Sequence, residues 1–235
     1  MSAFVLLHGA WHGGWCWARV ANILRARGHV VTTPTQTGVG ERAHLLSADI
    51  TLTTFCEDLH QHLLFEDLSD VVLVGHSFGG NALSYAAEVA PDRISRLVYL
   101  DAMIVEAGET PLDTVAPDIA ALRRQMAQDS SGGLTLPAPP AVTMGVTDRA
   151  DVAWLESKMT PHPFATFTTP LPIQGAPGGA LPAEYIMCTA PEYEPLRESR
   201  ARARALGWGM RGIAAGHDMM VTAPETLADM LEVPA

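Results

Sequence analysis

The chain has 235 residues, 48% of them apolar, and a formal charge of −11. That is enough apolar material for one sizeable core. The acidic balance argues against nucleic acid or an anionic membrane surface as partner. No apolar run reaches transmembrane length, and the N-terminus does not read as a secretory leader. The three cysteines, Cys16, Cys56 and Cys188, are an odd number without metal-ligand spacing. They point to a reducing compartment, here expected to be the cytoplasm.

In chain order, Ala3–Leu7 reads as a strand. His8-Gly9-Ala10-Trp11-His12-Gly13-Gly14-Trp15 follows, and its glycines suit a loop whose backbone approaches something closely. Trp15 to Arg27 has helical spacing, with Gly28 at its C-terminal end. His29–Thr33 is predicted as the second strand and Thr35–Leu46 as a loop. Thr51–Phe65 is predicted as an amphipathic helix through Leu52, Phe55, Leu59, Leu63 and Leu64.

Val71-Val72-Leu73-Val74 makes a short buried strand, and Gly75-His76-Ser77-Phe78-Gly79 follows it directly. Asn81 to Ala90 reads as helix, stopped by Pro91. Strand, Gly-x-Ser-x-Gly and helix together form a nucleophile-elbow pattern. An ordinary Gly-rich βα turn with a helix-capping serine would use similar letters, but the strand before the pattern and the helix after it favour the elbow. Side chains two residues either side of the serine must be nearly absent for so sharp a turn to close. Arg96–Leu100 is predicted as the next strand, with Asp101 at its end.

From about 102 to 182 the character changes and prolines crowd in. Helices are predicted over Val115–Gln128 and Asp148–Met159, and no strand stands out. This reads as a cap inserted over the strand ends. Met103, Met126, Met144, Met159, Trp154, Phe164 and Phe167 suit either the cap's own small core or a pocket lining. For any single residue the core role is the commoner one. The sheet resumes at Glu184–Cys188, followed by an arginine-rich helix from Glu194 to Leu206 whose charges suit a solvated face. Met210–Ala214 is the last strand. Gly216-His217-Asp218 follows it, and a helix over Thr222–Leu231, with Thr222 as N-cap, closes the chain.

Alternating strands and helices imply an α/β fold: a mostly parallel, doubly wound sheet of about six strands, in one domain spanning 1–235. Ligands bind such sheets beyond the C-terminal strand ends, where Ala10, Ser77 and Asp101 all fall. A serine hydroxyl needs a base beside it. Among nine histidines, His217 fits best, because it lies in a Gly-containing loop between the last strand and a helix. His8 and His12 read as packing or hydrogen-bonding residues, and His60 and His62 do not share a helix face. The N–H groups of Ala10 and Phe78 are the expected oxyanion donors.

These segments resemble the α/β-hydrolase superfamily, and within it the plant methylesterases and hydroxynitrile lyases and their bacterial esterase-like relatives. The resemblance implies Ser77 as nucleophile, His217 as base, and Ala10 and Phe78 as oxyanion donors. His8-Gly9-Ala10 is closer to the esterases than to the lyases, which tend to carry threonine where Gly9 stands. One departure matters. The plant proteins place an aspartate just after a Cys-Thr pair, whereas here Cys188-Thr189 is followed by Ala190. Asp101 is the first candidate for the missing acid, Glu192 and Glu194 are alternatives, and a site with no acid is the remaining option.

The expected activity is a serine esterase acting on a carboxylic ester of a small, largely apolar molecule. A lyase or cyclase using the same Ser77 and His217, or a non-catalytic binder on the same fold, are the rivals. No metal and no cofactor is expected. The expected partner is a small-molecule substrate, without nucleic acid or membrane, and a homodimer stays open.

Overall fold

The runs Val5-Leu6-Leu7, Val71–Val74 and Leu97–Leu100 are apolar at successive positions, so both faces of their sheet must be covered. The computed structural model describes residues 1–233. In chain order its elements are β1 (Ala3–Leu7), α1 (Ala18–Ala26), β2 (Val30–Thr32), α2 (Leu52–Phe65), β3 (Val71–His76), α3 (Gly80–Val89) and β4 (Ile94–Leu100). Then come α4 (Pro117–Ser131), β5 (Thr135–Leu136), α5 (Arg149–Glu156), β6 (His162–Pro163) and α6 (Ala165–Thr168). The chain ends with β7 (Ala183–Cys188), α7 (Arg197–Ala205), β8 (Gly209–Ile213), α8 (Met219–Thr222) and α9 (Pro224–Glu232).

Six strands form one sheet in the order β2-β1-β3-β4-β7-β8. Every pairing in it is parallel. Successive side chains of a strand point to opposite faces. Accordingly Phe4, Leu6, Val72, Val74, Val98, Leu100 and Ile186 pack with Trp17, Val20 and Leu24 of α1 and Leu227 and Leu231 of α9. Their neighbours Val5, Leu7, Leu73, Leu97, Tyr99 and Tyr185 pack on the other face with α2, α3 and Ala203 of α7. This two-period alternation winds helices on both sides of the sheet. Helix α2 starts where Thr51 and Thr54 cap each other reciprocally.

The segment 102–182 carries α4, α5, α6 and an antiparallel pair, β5 with β6. The sequence shows no such strands, because two-residue strands leave no periodicity to read. A third apolar cluster joins this segment to the strand ends, through Phe78, Met103, Leu112, Leu136, Phe164 and Phe167. Met144, Trp154 and Met159 pack instead against the α1 side of the sheet, while Met126 is exposed.

Thr222 and Arg200 also differ from the sequence reading. Thr222 ends α8 rather than capping the last helix. Its hydroxyl donates to the Asp218 carbonyl, and Ala223 occupies the cap position. Arg200 on α7 is 3% exposed instead of solvated. Its face of the helix turns toward the strand ends, where it meets polar partners described next.

Candidate active site

Ser77 stands at the turn between β3 and α3 with φ +52°, a left-handed conformation that a non-glycine residue adopts at a cost. The packing explains the flanking glycines. A Cβ on Gly75 would come within 2.5 Å of Leu83, and one on Gly79 within 2.8 Å of the His8 carbonyl. A Cβ on Gly9 would meet the Ser77 Cβ at 2.7 Å, so a larger residue there would press on the serine itself.

The Ser77 hydroxyl donates to Nε2 of His217 at 3.0 Å, and Nδ1 of His217 donates to Oδ2 of Asp101 at 2.7 Å. Ser77, His217 and Asp101, far apart in sequence, thus form one hydrogen-bonded chain. His217 sits in the loop after β8 and is 3% exposed, and Asp101 is fully buried. Asp101 follows β4 directly and also has positive φ, +38°. Aspartate tolerates that region better than most residues.

Glu192 and Glu194 lie elsewhere. Both are exposed and face arginines: Glu192 is 3.5 Å from Arg200, and Glu194 is 3.4 Å from Arg197.

Ala10 is buried in the loop after β1, and among the described residues its N–H has no acceptor. Phe78 N–H belongs to the first turn of a short 3-10 helix that leads into α3, where such groups have no partner inside the helix. Both residues line one narrow cavity with Ser77, together with Trp11, Met103, Phe167 and Leu196. The cavity measures about 30 Å³, room for one or two waters. Larger depressions of 490–590 Å³ are open surface grooves without the serine.

Residues 4–230 match the model of the alpha/beta hydrolase family. The chain is 37% identical, over 98% of both sequences, to a carbendazim hydrolyzing esterase from Nocardioides sp. (strain SG-4G). It is 40% identical to Methylesterase 2 of Arabidopsis thaliana over 46% of this chain and 42% of that protein. An extracellular alpha/beta-hydrolase from a Paenibacillus species, described as a structural and functional homologue of tobacco salicylic acid binding protein 2, superposes with a TM-score of 0.83. That match has 26% identity and covers 99% of this chain and 98% of the other.

The chain belongs to the α/β-hydrolase family. Within it, the chain falls on the methylesterase branch, and it is a carboxylic ester hydrolase.

Around this hydrolase site lie groups to which the sequence assigned no role there. Tyr193 stacks on His217, with ring centroids 4.0 Å apart and planes 15° apart. The Cys188 thiol donates to Asp101 Oδ2 at 3.0 Å. Burial, reinforced by the Asp101 charge, pushes that thiol's pKa up, so it stays a donor. Arg200 holds the Tyr193 carbonyl at 2.9 Å and comes within 4.0 Å of Asp101 Oδ1. Cys188 carries a readable signal, since β7 had to lie beside a neighbouring strand. Tyr193 and Arg200 carry none.

Behind the site, the His76 Nε2–H donates to the His217 carbonyl at 3.0 Å. His12 Nδ1–H donates to the Ala10 carbonyl at 2.7 Å, while its Nε2 faces Asp218 Oδ2 at 3.3 Å. A carbonyl can only accept, so His12 meets the carboxylate best with both nitrogens protonated. Burial alone would lower the His12 pKa, but the Asp218 charge raises it above the usual value. Burial would likewise raise that of Asp218, yet the His12 charge overrides it and brings it to about 2. This buried ion pair ties the loop bearing Ala10 to the loop bearing His217.

Among the described residues, two groups bring metal-ligating atoms within 4.8 Å of one another: His76, His217 and Asp218, and Asp101, Cys188 and His217. Both share His217, whose two nitrogens are already engaged by Ser77 and Asp101. Their donors are thus arranged for hydrogen bonding to each other rather than for converging on an ion.

Proposed function

We propose that the protein hydrolyses the carboxylic ester of a small, largely apolar molecule through an acyl-enzyme on Ser77. The single observation that carries this reading is the continuous contact from Ser77 Oγ to His217 Nε2 and from His217 Nδ1 to Asp101 Oδ2. Ser77 Oγ attacks the ester carbonyl while His217 takes its proton. The Asp101 carboxylate holds the imidazole in the Nδ1–H tautomer and balances the imidazolium that forms. The N–H groups of Ala10 and Phe78 donate hydrogen bonds to the negative oxygen of the former carbonyl, at no reorganisation cost. His217 then protonates the leaving alcohol, and water, activated by the same histidine, releases the acid.

Trp11, Phe78, Met103, Phe167 and Leu196 around the serine support an apolar substrate. The names of the relatives suggest methyl esters as the first class to test. In this reading the segment 102–182 acts as a cap. Three buried free cysteines support a cytoplasmic setting, against which stands the extracellular relative.

The test is a panel of methyl, alkyl and aryl esters, with carbendazim included, alongside mass spectrometry after a fluorophosphonate probe. Turnover of at least one ester class and a single adduct on Ser77 are expected. Turnover with no adduct on Ser77 would overturn the acyl-enzyme, and no ester turnover at all would overturn the substrate class.

A further inference from the structure

Arg123, in the second turn of α4, lines the same cavity as Ser77. Its guanidinium lies 5.6 Å from the centre of the Phe167 ring, and Phe167 packs 4.7 Å from Phe78, the residue after the nucleophile. The other arginines near the protein interior all have acceptors. Arg96 holds Glu184, Arg202 holds Glu109, Arg211 holds Glu184, and Arg200 holds the Tyr193 carbonyl. Among the described residues Arg123 makes no hydrogen bond and no ion pair, although it is half-buried. Tyr193 is the polar group that faces it.

An arginine remains charged in a protein, and a desolvated cation without a counter-ion costs stability. The Phe167 face offsets part of that cost. It supplies no hydrogen-bond acceptor to the N–H fork of the guanidinium. Burial accordingly pushes the Arg123 pKa down, with no carboxylate to oppose it. Half-buried and without an acidic partner, Arg123 thus sets one cation at the cavity that holds Ser77, beside Trp11, Phe78, Met103, Phe167 and Tyr193.

We propose that Arg123 is a specificity determinant that receives a carboxylate on the substrate, so that the preferred substrates are half esters of dicarboxylic acids. The inference rests on the ester-hydrolase reading. A planar carboxylate matches the fork bidentately, and its single charge matches the single unpaired cation. A phosphate dianion would ask for a second cation, and the cavity lining offers no other. The apolar lining takes the alkyl body between the two ends.

The test compares monomethyl succinate, glutarate and adipate, each with its uncharged dimethyl ester, as a ratio of kcat/KM values. The wild type is expected to favour the half ester at least tenfold at one chain length. The ratio should fall to near unity in Arg123→Met, keep part of its value in Arg123→Lys, and stay at the wild-type level in Arg124→Met, which controls for the overall charge. Thermal unfolding checks that each variant is folded. A wild-type ratio near unity, or a ratio unchanged in Arg123→Met, would overturn the proposal. Calorimetry on Ser77→Ala separates this from the reaction itself. Tighter binding of the half ester than of the diester, lost on adding Arg123→Met, would uphold the role of Arg123 even if no ester were turned over. Equal affinities, or no binding of either ligand at millimolar concentration, would overturn it.

Discussion

Asp101 reaches the imidazole of His217 at 2.7 Å from the end of β4, although the two residues stand 116 positions apart in the chain. Strand order makes this possible. β4 lies between β3, which carries Ser77, and β7, which ends at Cys188. An acid at the end of β4 therefore enters the same cleft as one placed after β7, one strand further from the nucleophile. Cys188, left on β7, donates its thiol to the same carboxylate oxygen.

Replacing Asp101 by asparagine keeps the shape but presents the wrong group to Nδ1. In a serine protease that change costs about 10⁴ in kcat. A loss of roughly 10²–10⁴ is expected for Asp101→Asn. Glu192→Gln and Glu194→Gln should lose under about tenfold, because exposed charges of this kind contribute little. Thermal unfolding measured alongside separates loss of catalysis from loss of the strand end. A stable Asp101→Asn variant with full turnover would take the acid role away from Asp101.

Ser77→Ala should fold, since the elbow accepts a smaller side chain, and should lose turnover on the order of 10⁶, as for a comparable nucleophile. Retention of more than about a tenth of the activity in Ser77→Ala, against that loss, would show a different nucleophile.

Gly145, in the segment above the sheet, has φ +82°, and a Cβ there would lie 2.7 Å from the Gly216 Cα and 3.5 Å from the His217 amide. Gly145→Ala is therefore expected to displace the His217 loop and lower kcat at least tenfold. Gly132 is the control. It also has positive φ, +64°, but a Cβ there meets nothing within 4 Å. Both substitutions carry a backbone cost of about 1–2 kcal/mol, which shows in the melting temperature. Only Gly145→Ala should also slow turnover. Equal kcat in the two variants would mean that the contact with Gly216 does not hold the histidine.

The parts legible in the sequence are those with a short-range cause. β1 through β4 show as apolar runs, the elbow shows because two glycines must flank Ser77, and Gly216-His217 shows because it follows the last strand. Asp101 was readable as an acid at a strand end, but its place beside His217, where Glu192 and Glu194 do not reach, depends on β4 and β7 being neighbours. What stayed hidden depends on long-range packing. Arg200 looks like any charge on an arginine-rich helix until α7 is docked against Asp101. Tyr193 stacks on His217 from a loop with no periodicity. Asp218, next to the histidine, pairs instead with His12, more than two hundred positions away in the chain.

The buried histidines set the response to acid. Burial holds the pKa of His8 down to about 4, outweighing its hydrogen bond to the Gly9 carbonyl. Burial also holds His76 and His162 well below the usual 6.5. When the chain unfolds below pH 6.5 these three take up protons that the folded state refuses. The unfolded state then binds more protons, so stability falls as pH falls. Each such group contributes up to about 1.4 kcal/mol per pH unit. His12 acts in the opposite sense. Its raised pKa gives stability that is fully present below the unfolded value of 6.5 and is lost as pH rises through the folded value. Asp218, depressed to about 2, contributes stability that is present above 3.8 and lost as pH falls toward 2. Maximum stability is therefore expected near pH 6–7, with a steep loss between about 6 and 4 from His8, His76 and His162 together. Urea unfolding across that range measures it. His162→Phe, if folded, should flatten the acid slope. A stability that stayed constant from pH 6.5 to 4 would show that these histidines are not buried in the neutral form.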